Sequence, residues 1–206
     1  AQRAVADGSF KAEIAPVTVT TRRGEEVIAG DETPGKCDVS KISKLKPAFK
    51  KDGAVTPANS SSISDGAAAF VMMRESDAKK AGITPLARIV GHATYAAEPA
   101  WFTTAPVFVF KKLLKNIGWE VSDVDLWEIN EAFATVTMAS MHDLNLSHDK
   151  VNVNGGACGM GHPIGATGSR ILITLLYALK ARGLKRGIAG LCAGGGEATA
   201  IAIEIV

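Results

Sequence analysis

Two glycine-rich turns, one built around a histidine and the other around a cysteine, constrain this chain more than any other feature. The first runs Gly155-Gly156-Ala157-Cys158-Gly159-Met160-Gly161-His162-Pro163-Ile164-Gly165-Ala166-Thr167-Gly168, six glycines in fourteen residues; the second is Leu191-Cys192-Ala193-Gly194-Gly195-Gly196. Glycine admits positive φ and close approach at a cost in chain entropy, so this density predicts a wall against which something packs. An imidazole that titrates near neutral pH and sits in such a wall is placed to move protons. Cys192 ends a predicted strand just before three glycines, which delivers its side chain to a site; a small buried hydrophobe is the ordinary alternative for a free cysteine. To become a reactive thiolate it needs a neighbouring positive charge, and His162 is the available partner.

Competing glycine chemistries fail on the residues. A phosphate loop requires Gly-Lys-Ser/Thr where this chain has His162-Pro163, and in the dinucleotide fingerprint the third glycine arrives one residue earlier than Gly165. Cys158 and His162 are four apart, but glycines and a proline between and after them make no helical ligand face, so no metal site is expected. Three cysteines (Cys37, Cys158, Cys192) without CxxC spacing argue for reduced thiols. A net charge of +2 with 47% hydrophobic and 21% charged residues is that of a globular protein with no nucleic-acid surface. No apolar stretch nears the roughly 20 residues of a membrane span and no secretory segment opens the chain, so a cytoplasmic location is expected, the mitochondrial matrix being compatible.

Hydrophobic patterning predicts a short helical start, an alternating segment over 14–20, and turn-rich charged sequence to about 54. A Ser/Asn-rich loop over 56–66 then leads to a buried strand at 67–73 and a helix at 75–81. Beyond Gly82 the pattern predicts strands near 88–94, 124–128 and 151–154, helices near 107–117 and 131–144, a long helix over 165–181, and final strands at 187–192 and 198–205. Strands alternating with helices imply an α/β fold with a parallel-type sheet. The long helix carries Ile171, Leu172, Leu175, Leu176 and Leu179 and almost no charge, and is expected to be buried on most sides. Residues 1–10 read as the end of a helix, the expectation being a chain cut from a longer one.

With Asn130-Glu131-Ala132-Phe133 upstream, the motifs read NEAF, GHPxGxxG and CxGGG in order, and by them the chain resembles the thiolase family, which makes or cleaves 3-ketoacyl-CoA thioesters. The resemblance implies a layered α/β/α/β/α fold with a mixed sheet and a buried central helix. It implies the C-terminal half of such an enzyme: residues 1–54 the end of a CoA-binding loop domain, 55–83 the last strand and helix of the N-terminal domain, 84–206 the C-terminal domain. It further implies acyl transfer between CoA thioesters with no bound metal or permanent cofactor, acyl-CoA and CoA as partners, and a homo-oligomeric parent.

By motif, His162 activates a nucleophilic cysteine, Asn130 positions a water that joins His162 in an oxyanion hole, Cys192 is the acid/base toward the second substrate, and the Gly194 N–H serves a second oxyanion hole. Without the resemblance, Asn130 reads equally as a helix N-cap. Ser61 matches the serine that holds the pantetheine, and Phe49, Ile63, Ala132 and Phe133 match its tunnel. Lys36 stands where the family often has an arginine, and Trp101-Phe102 departs from the family near the acyl pocket. The family's nucleophile lies in a CxS-type motif that this chain lacks, so the chain alone is expected to be inactive. A non-enzymatic CoA-binding or assembly module is the alternative, and a ketoacyl synthase is disfavoured because it needs two suitably placed histidines.

Overall fold

In a computed structural model describing residues 1–206, a short helix α1 (Gln2–Ala6) precedes an exposed antiparallel hairpin of β1 (Val17–Thr21) and β2 (Gly24–Ile28). Then follow α2 (Glu75–Lys80), β3 (Ala87–Ala96), α3 (Ala105–Ile117), β4 (Leu126–Ile129), α4 (Ala134–Leu144), α5 (Ala157–Met160), α6 (Thr167–Arg182), β5 (Arg186–Cys192) and β6 (Glu197–Ile205). The main sheet has the order β3-β6-β5-β4, antiparallel except for the β4–β5 pair. The sheet is the mixed one that the resemblance implies, and not the parallel-type sheet that strand–helix alternation alone suggests. The β3-to-β4 and β4-to-β5 connections both carry crossover helices, whereas β5 and β6 are joined by a tight turn that reverses the chain.

The sheet is packed on both faces, and its composition differs between them. Toward α3 and α4 the strands present small residues, Ala93, Ala198, Ala200, Ala202 and Gly190, which let Phe110 and Leu113 approach closely. Trp127 meets Phe110 edge-on at 5.4 Å. Toward α6 they present Leu126, Ala189 and Ile203 to Ile171, Leu175 and Leu179. Alternation along β4 follows the period of two: Trp127 and Ile129 face the α3 side, Leu126 and Glu128 the α6 side. No side chain of α6 from Ser169 to Leu179 is fully exposed, as its patterning predicts.

Three expectations from patterning fail. Residues 67–73 form no strand and leave Phe70, Val71, Met72 and Met73 between 41% and 86% exposed, because an extended segment becomes a strand only beside a partner. The predicted strand at 151–154 shrinks to a single bridge between Val151 and Trp127, because Asn152 takes a left-handed φ of 47°. The second hairpin strand β2 was hidden in charged sequence, Gly24-Glu25-Glu26-Val27-Ile28.

Gly190 tests the packing of the α3 face. A Cβ there would stand 2.4 Å from Phe110 Cε1 and 3.2 Å from the Thr199 carbonyl oxygen. Gly190→Ala is expected to cost about 1–3 kcal/mol by overpacking, measured as a lower thermal midpoint; an unchanged midpoint would contradict the close packing described. No helix is long and apolar enough to cross a membrane.

Candidate active site

The carboxyl ends of the parallel strands β4 and β5 lie side by side, and Asn130 extends the ladder by donating its N–H to the Gly190 carbonyl at 3.0 Å. Asn130, two residues beyond Glu128, falls on the α6 side; Cys192, two residues beyond Gly190, falls on the α3 side. Ligand sites in sheets of this kind form beyond the carboxyl ends of the parallel strands.

Asn130 is 1% exposed and is no N-cap: Phe133 takes the cap position of α4, and the Asn130 amide is turned to His162 instead, Nδ2 standing 3.3 Å from Nε2. The Asn130 Oδ1 is buried without a protein partner. On the other side of the ring, His162 Nδ1 lies 2.6 Å from Thr167 Oγ1, whose own proton goes to the Pro163 carbonyl at 2.9 Å. A hydroxyl has one proton, so Thr167 accepts from His162, which carries its hydrogen on Nδ1 and keeps the Nε2 lone pair for chemistry. Burial, and secondarily the Arg170 charge, hold the His162 pKa below its ordinary value, so the imidazole is neutral and basic at neutral pH.

The loops around this histidine are packed on the chain itself, so the glycine wall expected to face a ligand faces protein for much of its length. Gly161, at φ 96°, touches the Ser62–Ser64 loop so closely that a Cβ would fall 2.1 Å from Ser64 Oγ. His162 donates its backbone N–H to Ser62 O, forming a parallel bridge with Ile63. Gly156 gives way to the Glu131 carboxylate, which accepts from Asn152 Nδ2 at 3.0 Å and from the Cys158 N–H at 3.1 Å. Asn152 also brackets Ile129, accepting from its N–H and donating to its carbonyl, each at 2.8 Å. Sequence reading passed over Glu131, Asn152 and Thr167; only the last had a signal, its place in the first turn of the helix that follows the histidine.

Cys192 is 6% exposed, and burial pushes its thiol up in pKa, away from the thiolate. The expectation that His162 activates it is not met, because both ring nitrogens are engaged by Asn130 and Thr167. A thiol kept protonated suits a proton donor better than a nucleophile. Gly194 is exposed, has nothing within 4 Å of a would-be Cβ, and its N–H finds no acceptor in the chain.

Ser61 is joined to the same assembly: its N–H and Oγ each donate to the Ala132 carbonyl at 3.1 Å, and Ser60 bridges Phe133, which meets Phe102 edge-on at 6.3 Å. Ser61, Ile63, Ala132, Phe133 and His162 are thus brought together. Ile63 is wholly exposed, and Phe49, 78% exposed, stacks on no aromatic ring. Lys36 pairs with Glu32 on the surface at 3.0 Å, Cys37 is exposed, and Cys158, pushed up to about 12 by burial and by Glu131, is inert.

Comparison with known families decides what this arrangement is. Residues 83–205 match the thiolase C-terminal domain and residues 1–76 the thiolase N-terminal domain. The chain belongs to the thiolase family. The expected C-terminal half is corrected in part, since the match to the N-terminal thiolase domain spans residues 1–76 and not only its last strand and helix. The chain is 48% identical over 202 residues to acetyl-CoA acetyltransferase 2 of Arabidopsis thaliana, covering 97% of this chain and 50% of that protein. It is 48% identical over 205 residues to the Escherichia coli acetyl-CoA acetyltransferase, covering 99% and 52%. Among solved thiolase-fold structures, the Bacillus anthracis acetyl-CoA acetyltransferase superposes with a TM-score of 0.95 at 45% identity, covering 99% of this chain and 52% of that one. The human mitochondrial 3-ketoacyl-CoA thiolase gives 0.90 at 36%, covering 100% and 52%. The chain spans about half the length of the relatives it matches.

Proposed function

We propose that this chain supplies the proton-handling part of a thiolase active site, acting on acyl-CoA thioesters together with a nucleophilic cysteine that neither Cys37 nor Cys158 is placed to be. The observation that carries this reading is the His162 Nε2, basic, unprotonated and 3.3 Å from the Asn130 amide at the carboxyl end of the parallel strands. In thiolysis, Nε2 takes the nucleophile's thiol proton and the resulting thiolate attacks the keto carbon. The oxyanion forms against the imidazolium N–H and Asn130, whose unpartnered Oδ1 can orient a water there. As the C2–C3 bond breaks, the Cys192 thiol protonates the departing acetyl-CoA enolate. The Cys192 thiolate then deprotonates CoA, whose sulfur takes the acyl group, and His162 returns its proton to the nucleophile. The free Gly194 N–H stabilises the second oxyanion.

In this reading Ser61, Ile63, Ala132, Phe133 and the more distant Phe49 line the pantetheine path. Residues 1–54 are loop domain, 55–83 the close of the N-terminal domain and 84–206 the C-terminal domain, within a homo-oligomeric enzyme. The exposed run from Phe70 to Met73 is covered there by strands of the nucleophile-bearing part.

The test is acetoacetyl-CoA thiolysis by the pure chain and by the chain joined to the nucleophile-bearing segment of the Escherichia coli relative. No turnover alone, turnover when joined, and newly protected amides over 67–73 in the joined protein are expected. Turnover by the chain alone would remove the need for an outside cysteine; an inert joined protein that is folded would overturn the site assignment.

A further inference from the structure

Behind the histidine lies a buried charge that the proposed chemistry does not use. Glu128, 2% exposed, accepts from Arg170 Nη1 at 3.0 Å, and the guanidinium side chain is itself only 21% exposed. A buried pair of this kind contributes little net stability, because removing both charges from water costs several kcal/mol per ion and a hydrophobic pair of similar size does as well. Its place in the fold suggests what it does instead. Glu128 and Asn130 project from the same side of β4, two residues apart. Thr167 and Arg170 are three apart on α6, hence on one face in successive turns. Asn130 meets His162, His162 meets Thr167, and Arg170 meets Glu128, which closes a ring of contacts across two elements.

We propose that Arg170, pinned by Glu128, is a positioning residue of this site: it ties the turn of α6 that holds the His162 ring to the strand that carries Asn130. The proposal rests on His162 and Asn130 being the reacting pair. The loops are also tied where the Cys158 N–H donates to Glu131, but the imidazole itself meets the β4 side only at the 3.3 Å contact with Asn130, and the pin fixes the α6 turn behind it. A misplacement of about 1 Å at a reacting centre is enough to cost a large factor in rate. The same guanidinium also acts through space on the imidazole, disfavouring its protonated form. The other charged groups around the pair are the carboxylates of Glu13 and Glu131.

The test reads the histidine rather than turnover, so it stands or falls separately from the proposed reaction. Nitrogen NMR of the four histidines follows tautomer and titration of His162, assigned by its loss in His162→Gln. The folded chain is compared with a Glu128→Met/Arg170→Met pair, which removes the carboxyl group and the guanidinium together and so leaves neither without its partner. In the unaltered chain a single Nδ1–H tautomer titrating below the ordinary value of about 6.5 is expected. In the double variant the midpoint rises toward that value and both tautomers are populated. Retention of the single tautomer would overturn the proposal whatever the midpoint does, since loss of the Arg170 charge by itself raises the midpoint and leaves the tautomer as it was. Should the methionine pair not fold, Arg170→Lys keeps the charge but loses the planar fork. A mixed tautomer in that variant supports the pinning role, and a single one overturns it.

Discussion

Replacing His162 with alanine in the joined enzyme is expected to lower kcat for acetoacetyl-CoA thiolysis by about 10²–10⁴-fold, the range over which a positioned general base contributes. The reason is local. Nε2 is the unprotonated ring nitrogen at the carboxyl ends of β4 and β5, since Thr167 takes the Nδ1 hydrogen, and it faces the Asn130 amide at 3.3 Å. Substrate binding should suffer little, because Ser61 and Phe133 hold their places through Ala132 and Ser60 rather than through the ring. The loss should therefore fall on kcat, with KM within a few-fold of the original. The pH profile of the unaltered enzyme carries the same signature: kcat/KM falls as pH drops through a midpoint below the ordinary histidine value, because burial and Arg170 disfavour the imidazolium. An alanine variant that keeps its turnover would place the base elsewhere. A drop in KM-dependent terms alone would make His162 a binding residue.

What could be read from the chain itself was whatever local patterning determines. Helix α6 was legible because Ile171, Leu172, Leu175 and Leu179 repeat at helical spacing between a glycine-rich start and Gly183. Strands β5 and β6 were legible as apolar runs separated by three glycines. The run from Ala67 to Met73 looked equally strand-like, yet it lies unpaired, since strand formation is settled by a neighbour and not by the segment. At the site the motifs pointed to His162, Asn130 and Cys192 one by one. The relations among them were invisible: Glu128 and Arg170 are 42 residues apart, Asn152 and Ile129 are 23 apart, and nothing local marks them as partners. The glycines misled in one respect. Their freedom serves close approach by Glu131 and Ser64 of the same chain, so glycine density marks crowding and leaves the identity of the crowding group open.

The buried carboxylates should make folding stability fall as pH rises above neutrality, opposite to the usual behaviour of acidic groups held by partners. One guanidinium, Arg170, serves two of them. Glu128 is pushed up to about 8, by burial first, against the pull of Arg170 and with added repulsion from Glu131 and Glu13. Glu13 is pushed up to about 7, again by burial first, offset by the hydroxyl of Thr174 and by Arg170; its Oε2 is buried with no partner. Two acids sharing one cation retain a proton at neutral pH. Both pKa values are raised above the unfolded value of about 4.3, so from about pH 4.3 to 8 the folded chain binds more protons than the unfolded one, and stability declines through that window. His162 acts in the opposite sense, being lowered in the fold, but above about pH 6.5 it is neutral in both states and contributes nothing. Between pH 6.5 and 8.5 the carboxyl groups therefore act unopposed, half-buried Glu13 contributing the smaller share because solvent screens it. The expected loss is on the order of 2 kcal/mol, or roughly 4–8 °C in thermal midpoint for a chain of this size. Glu128→Gln cannot ionise and should flatten most of the decline. Thermal unfolding of both proteins at pH 6.5, 7.5 and 8.5 decides the matter: a midpoint that holds or rises with pH in the unaltered chain would mean that both carboxylates ionise at no cost, and that the Glu128 side chain has access to water or to a cation beyond Arg170.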